Sequence, residues 1–178
     1  MDDIVKQAMA KWPNVPDCYG WLGLDARGNW YMRDERAQAA GAFAQNPLAK
    51  GSLLQHDKLI EFIQRNYGVD ARGCWFFQNG PQRVFVALEA TPWIWRLQPD
   101  GSVHTHTGLP AQVQQCGVDE HGRAYLLTDR GFGLVHTQDV AALAEWLERS
   151  DGPVQTLQAQ DLPQQFGYVM NPEMLLKI

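Results

Sequence analysis

The sequence predicts an α+β fold: antiparallel hairpin-rich sheets with three or four helices packed on one side, arranged in one domain or in two lobes. Three observations predict it. The run from Asp70 to Leu97 is the densest stretch of β-formers, holds Trp75, Trp93 and Trp95 and contains two turn signals. An Asp-x-x-Gly phrase, a good tight-turn sequence, recurs along the chain. Helical periodicity is confined to a few short stretches, so strands follow one another without the crossover helices that a parallel, doubly wound sheet requires.

The N-terminal elements follow from periodicity and turn chemistry. Ile4, Val5, Ala8, Met9 and Trp12 recur at helical spacing, and Pro13 and Pro16 end that helix. Tyr19 to Met32 reads as a hairpin whose turn opens with Asp25 and closes with Gly28. Arg33 to Gly51 is alanine-rich and contains Pro47, which fits a short helix or an ordered loop. Leu59, Ile60, Phe62, Ile63 and Tyr67 then form one helical stripe opposite Lys58, Glu61, Gln64 and Arg65. Ser52 with Gln55 could start this helix as a capping box, as could His56-Asp57, and Gly68 reads as its C-cap.

In the central stretch, Asn79-Gly80 supplies a positive φ at low cost, and Pro81, which lacks an N–H, belongs at the start of a strand. Arg83 to Glu89 alternates. Val84, Val86 and Leu88 make a purely apolar face, expected to meet the core and the helix; Arg83, Phe85, Ala87 and Glu89 make a mixed one. After Thr91-Pro92, Trp93 to Leu97 begins a third strand. A boundary near Leu97 to Gly101 would give an N-terminal α+β lobe, 1–97, and a β-rich C-terminal lobe with a helix, 98–178; one continuous domain is the alternative.

In the C-terminal half, Ser102 to Thr107 and Ala111 to Cys116 alternate, and Arg123 to Thr128 and Phe132 to His136 flank the turn Asp129-Arg130-Gly131. A helix should follow, capped by Thr137, carrying Val140, Leu143, Ala144 and Leu147 on one side and stopping at Gly152-Pro153. Val154 to Leu157 reads as an edge strand, Asp161-Leu162-Pro163 as the start of a short helical turn, and Phe166 to Met170 as a returning strand before an apolar tail.

Composition narrows the function. At 178 residues the chain can bury a core without metal or disulfide support. A net charge of −5 argues against nucleic acid, whose binders carry basic patches. No stretch approaches the ~18 apolar residues of a membrane helix. Met1-Asp2-Asp3 is not the basic start of a signal peptide. Cys18, Cys74 and Cys116 are scattered and outside any Cys-x-x-Cys, which fits reduced thiols and a cytoplasmic setting.

Few residues carry chemistry. His104 and His106, two apart on an expected strand, could present two imidazoles to a metal, but no pattern supplies a third ligand, and a polar strand face continuing from Ser102 accounts for them. Ser52, Ser102 and Ser150 lie in no nucleophile elbow. Cys74 or Cys116 beside a histidine could form a thiol site, although a cysteine is more often a small buried hydrophobe. Phosphate-loop and dinucleotide fingerprints are absent, so no catalytic residue and no cofactor is assigned. Trp93 and Trp95 share a face that is either core or a binding surface. The repeated Asp-Ala-Arg-Gly at 25–28 and 70–73 is either a duplicated ligand loop or a turn used twice; turn chemistry explains the Asp and Gly but not the Ala-Arg identity. The best ligand candidate is the mixed face of Arg83, Phe85 and Glu89, with Trp75 and Phe77 brought alongside by the turn: aromatic walls, a cation and an anion to orient a small polar ligand. An ion pair on a solvated sheet is the plainer reading.

Asp25-x-x-Gly28-x-Trp30, the stretch Gly51 to Phe62, Asp70-x-x-Gly73-x-Trp75 and the run Val84 to Trp93 together resemble an uncharacterised proteobacterial conserved-hypothetical family, a domain of unknown function, over about residues 18–97. The insertion Arg33 to Lys50 and Ala90-Thr91 before Pro92 depart from that pattern. The resemblance implies a bacterial protein and brings no activity or site residue with it. The expected function is a non-enzymatic module binding a small ligand or a protein, with neither nucleic acid nor membrane as partner. A small hydrolase-like or metal-dependent enzyme and a structural subunit of a homo-oligomer are the alternatives.

Overall fold

The structure is a computed structural model that describes residues 1–150 and 152–177; the Ser150 side chain and the apolar end at Ile178 lie outside the description. Among the described residues the chain is α+β, with six α-helices and two mixed sheets of six and seven strands. Backbone packing divides it into two units. The first comprises Met1–Asp25, Asn29–Glu89 and Tyr168–Ile178, and the second Ala26–Gly28 and Ala90–Gly167.

The first unit opens with α1 (Asp3–Lys11), β1 (Cys18–Leu24) and β2 (Trp30–Met32). The segment expected to be a helix or a loop holds two short helices, α2 (Glu35–Ala39) and α3 (Pro47–Lys50), and is followed by β3 (Ser52–Leu53). Then come α4 (Asp57–Arg65), β4 (Tyr67–Val69), β5 (Trp75–Asn79) and β6 (Gln82–Leu88). The sheet order is β3-β2-β1-β6-β5-β4, antiparallel throughout except for the parallel pair β1 and β6 at its centre. Central position explains the unbroken apolar run of β6. Phe85 and Ala87 on one face and Val86 and Leu88 on the other are all buried. The sheet also curls. Trp30 on β2 and Tyr67 on β4 meet edge to face with ring centroids 5.2 Å apart. Four strand spacings in a flat sheet would hold them roughly 19 Å apart.

Helix α4 closes on the Val84 side, as the two-residue alternation requires. Phe62 meets Phe77 edge to face at 5.4 Å, and Phe77 pairs with Val84. Its cap is His56, whose Nδ1 accepts from the Leu59 amide at 3.3 Å; Ser52 is spent in β3. The helix ends earlier than Gly68 because Asn66 caps it, with Nδ2 donating to the Phe62 carbonyl at 2.9 Å, and Tyr67 to Val69 already pair with β5. The β5–β6 hairpin turns at Gly80-Pro81, with Gly80 at φ +57°.

The second unit carries β7 (Trp93–Leu97), β8 (Val103–Thr105), β9 (Pro110–Ala111), β10 (Val113–Asp119), β11 (Ala124–Thr128), β12 (Gly131–Val135), α5 (Val140–Ser150), β13 (Val154–Leu157) and α6 (Leu162–Phe166). Its order is β13-β10-β11-β12-β7-β8-β9, with β10·β13 and β12·β7 parallel. Trp93 and Trp95 are core: their indole N–H groups donate to the carbonyls of Arg130 and Leu126 at 2.8 and 3.0 Å. Thr137 is not the cap of α5. It sits in a 3-10 turn capped by His136, whose Nδ1 accepts from the Gln138 amide at 3.1 Å. The strand expected from Phe166 to Met170 does not form. Phe166 ends α6, Gly167 follows in the left-handed region at φ +67°, and residues 168–171 make no ladder.

The recurrent Asp turns share one construction. The amide of Asp25, Asp70 or Asp119 donates to the carbonyl four residues on, and its carboxylate accepts the amide of that same residue, Asn29, Cys74 or Arg123, at 2.8 to 3.0 Å. The glycine between them takes φ from +75° to +83°. Each carboxylate is thus engaged by its own turn. Arg72 also returns to Asp70 (Nε to Oδ2, 2.8 Å), which gives that copy of Ala-Arg a structural use.

Candidate functional site

The predicted ligand residues do not converge. Register pairs Phe76 with Phe85 and Gln78 with Arg83, so Trp75 and Phe77 face the α4 side and are not neighbours of Arg83. Arg83 lies over the Phe76 ring at 4.9 Å. Phe85 is buried, stacked on Tyr19 at 4.5 Å, and Cys74, Phe76 and Val169 complete its cluster. Glu89 falls beyond the end of β6 and pairs with Lys50 at 2.7 Å. Alternation separated the two faces of β6 correctly; the residues of β5 that share a face with Arg83 are offset by one from those expected.

A concavity opens on the far side of Tyr19. It measures about 380 Å³ and is lined by Tyr19 and Gly20 of β1, Arg33 just after β2, Gln38 of α2, and Glu173 and Met174 of a C-terminal 3-10 segment, Pro172–Lys177. Local structure fixes each wall. The Arg33 amide extends the β1–β2 ladder by donating to the Trp21 carbonyl at 2.9 Å. Asp34 caps α2 through the Ala37 amide at 2.9 Å and so turns the chain back over the sheet. Gly20 takes φ +83°, and a Cβ there would come within 2.8 Å of Gln38 Oε1.

Arg33 forms the floor, with only 2% of its surface exposed. Nε donates to the Ala49 carbonyl (2.7 Å), Nη1 to Gly20 (3.3 Å), and Nη2 to Ala37 (3.4 Å) and Gly41 (2.6 Å). Four of five guanidinium N–H groups are thereby satisfied. Glu173 stands 3.7 Å from Nη1, an ion pair rather than a hydrogen bond. Burial pushes the guanidinium below its ordinary value, and Glu173 works against that shift. The cleft therefore combines a cation, an anion, an aromatic wall and a side-chain amide, the elements that orient a small polar molecule.

Sequence reasoning missed Arg33 and Glu173. Both lie at the edges of segments without periodicity, and nothing local marks Arg33 as buried or Glu173 as its partner. A second concavity of about 290 Å³, lined by Trp21, Leu22, Met32, Leu59, Phe62 and Phe77, lies on the α4 side and is apolar. It contains one of the predicted residues, Phe77.

The other candidates are occupied structurally. His106 sits in the turn after β8 rather than on the strand, with Nδ1 accepting from the Ile94 amide at 3.2 Å, while His104 Nε2 lies 3.4 Å from Ser102 Oγ. Among the described residues no group of three or more His, Cys, Asp or Glu is placed to hold a metal ion. Burial raises the Cys18, Cys74 and Cys116 thiols above their ordinary value, which opposes thiolate formation. Among the described residues no helix is long and apolar enough to cross a membrane.

A family model named DUF2944, described as "Protein of unknown function (DUF2946)", matches residues 1–173. Comparison with curated proteins finds no match. Two solved structures are similar. One is a DUF1285 family protein from Silicibacter pomeroyi, at 12% identity, covering 82% of this chain and 84% of that one with a TM-score of 0.49. The other is a DUF1285 family protein from Shewanella baltica, at 17% identity, covering 70% and 91% with a TM-score of 0.46.

Proposed function

We propose, from the premise that the chain belongs to the DUF2944 family of proteins of unknown function, that it is a non-enzymatic module binding a small polar ligand in the Arg33 cleft. The observation that carries this reading is the buried guanidinium at the floor of a 380 Å³ concavity, with its counter-ion held beyond hydrogen-bond distance. That volume falls within the range of about 300–1,000 Å³ usual for small-molecule sites. The reading keeps the binding class expected from the sequence and moves the ligand from the Arg83, Phe85 and Glu89 face to the neighbouring cleft beyond Tyr19. A bacterial, cytoplasmic setting belongs to the same proposal; three free cysteines support its cytoplasmic part.

The test is native mass spectrometry of the purified full chain, combined with thermal-shift screening of amino acids, dicarboxylates and nucleotides. The variant Ala42→Phe fills the cleft from its rim. A retained small molecule, or a ligand-dependent shift, should be lost in that variant. No retained mass and no shift from any compound, or a shift that Ala42→Phe leaves intact, would overturn the proposal.

A further inference from the structure

We infer that the ligand of the Arg33 cleft carries a carboxylate, and that this group takes the place of Glu173 and releases the 3-10 segment Pro172–Lys177. This inference rests on the cleft being a ligand site.

The argument starts from the charge. A guanidinium stays protonated in a protein, and a buried one left without an anion is costly. Arg33 is covered by carbonyl dipoles on four N–H groups, and among the described residues Glu173 is its one ion-pair partner. Any occupant that moves Glu173 aside must therefore bring its own negative charge. A neutral occupant would leave the cation uncompensated. The remaining Nη1 N–H has no acceptor at hydrogen-bond distance, since the carboxylate of Glu173 stops at 3.7 Å. A free carboxylate, not tethered to the backbone of residue 173, could close that gap and gain the charge-assisted bond that Glu173 does not make.

The segment carrying Glu173 is suited to release. It is a single short 3-10 stretch lying against β1 and β6, and its Met174 amide donates to the Asn171 carbonyl at 3.0 Å. Met174 and Leu176 line the cleft yet remain 52% and 61% exposed, so little apolar burial holds them down. Tyr19, which lies outside the released segment, would then flank an apolar body behind the carboxylate.

Phenylacetate and its neutral counterpart phenylacetamide are the probes, titrated calorimetrically into the full chain. The acid should bind at least about tenfold more tightly than the amide, the discrimination expected of one charge-assisted bond. Glu173→Gln removes the internal competitor and should tighten phenylacetate by about tenfold, while Glu173→Asp should not. Hydrogen exchange at residues 173–177 should accelerate when phenylacetate is added to the unaltered chain, a readout that decides the matter if Glu173→Gln does not fold. Equal binding of acid and amide, no tightening in a folded Glu173→Gln, unchanged exchange, or no binding of phenylacetate overturns the inference. If the amide binds as well as the acid and Ala42→Phe abolishes both, the cleft remains a ligand site and only the carboxylate assignment falls.

Discussion

The Tyr125 hydroxyl donates to Asp119 Oδ2 at 2.8 Å, inside a turn that the same carboxylate closes. Asp119 also accepts from the amides of His121 and Arg123, both at 2.9 Å, and from Arg123 Nε at 2.8 Å. Burial alone would raise its pKa. The Arg123 amide, the Tyr125 hydroxyl, the Arg123 guanidinium and the His121 amide outweigh burial and hold it below the ordinary value. A depressed folded pKa contributes stability that is complete above the unfolded value of about 3.9 and is lost as pH falls through the folded one. Asp119→Asn should cost about 2–4 kcal/mol at neutral pH and flatten the acid limb below about pH 4. Urea midpoints from pH 7 to pH 2 check this; an acid limb as steep as that of the unaltered chain would contradict it.

Trp30 should matter as much as any residue in the first unit, because it joins β2 to β4 across the curl of the sheet. Trp30→Ala is expected to cost about 3–5 kcal/mol in equilibrium unfolding, the usual range for a fully buried aromatic. A loss under about 1 kcal/mol would mean that the curl does not depend on this contact.

Two glycines should rank opposite to their backbone angles. Gly101 sits at φ +84° with no atom within 4 Å of a built Cβ. Gly133 has an ordinary φ, but a Cβ there would overlap the Trp93 carbonyl oxygen and come within 2.7 Å of Trp95 Nε1. Gly101→Ala should cost about 1–2 kcal/mol from backbone strain, and Gly133→Ala about 3 kcal/mol from a clash with backbone that cannot move aside. Denaturant midpoints of the two variants measured side by side give the order directly.

Arg33→Met should destabilise by about 3–5 kcal/mol, since it strips donors from four carbonyls and strands Glu173. Arg33→Lys should recover only part of this, because one ammonium cannot span the positions that the planar fork reaches. Full recovery by lysine in a chemical-denaturation series would show that charge, not the fork, is what the site needs.

Much of the fold was legible because it is local. The Asp turns announce themselves by an acceptor side chain and a glycine at fixed offsets, and alternation in Arg83 to Glu89 identified which face α4 covers. The parallel pairing of β1 with β6 is not written in any turn. Its trace is the run Val84-Phe85-Val86-Ala87-Leu88, apolar on both faces, as a strand covered on both sides requires. The cleft was illegible for a related reason. Arg33 and Glu173 are brought together by long-range packing, and a buried arginine satisfied by carbonyls leaves no periodic signal. Glu89 misled for the opposite reason: it continued the strand alternation, but β6 ends at Leu88 and Glu89 turns to Lys50.

The first unit is built from both sides of the second in the chain. Val169 donates its amide to the Gly73 carbonyl and packs on Cys74, Phe76 and Phe85, and the Leu88 amide donates to the Met170 carbonyl. A ribosome adding roughly 5–20 residues per second therefore delivers every residue of the second unit before those closing pieces appear. The part of the protein that is synthesised first is the last to be finished. Until Val169 arrives, the face of Cys74, Phe76 and Phe85 has Tyr19 stacked on it but lacks the residue that completes its cover.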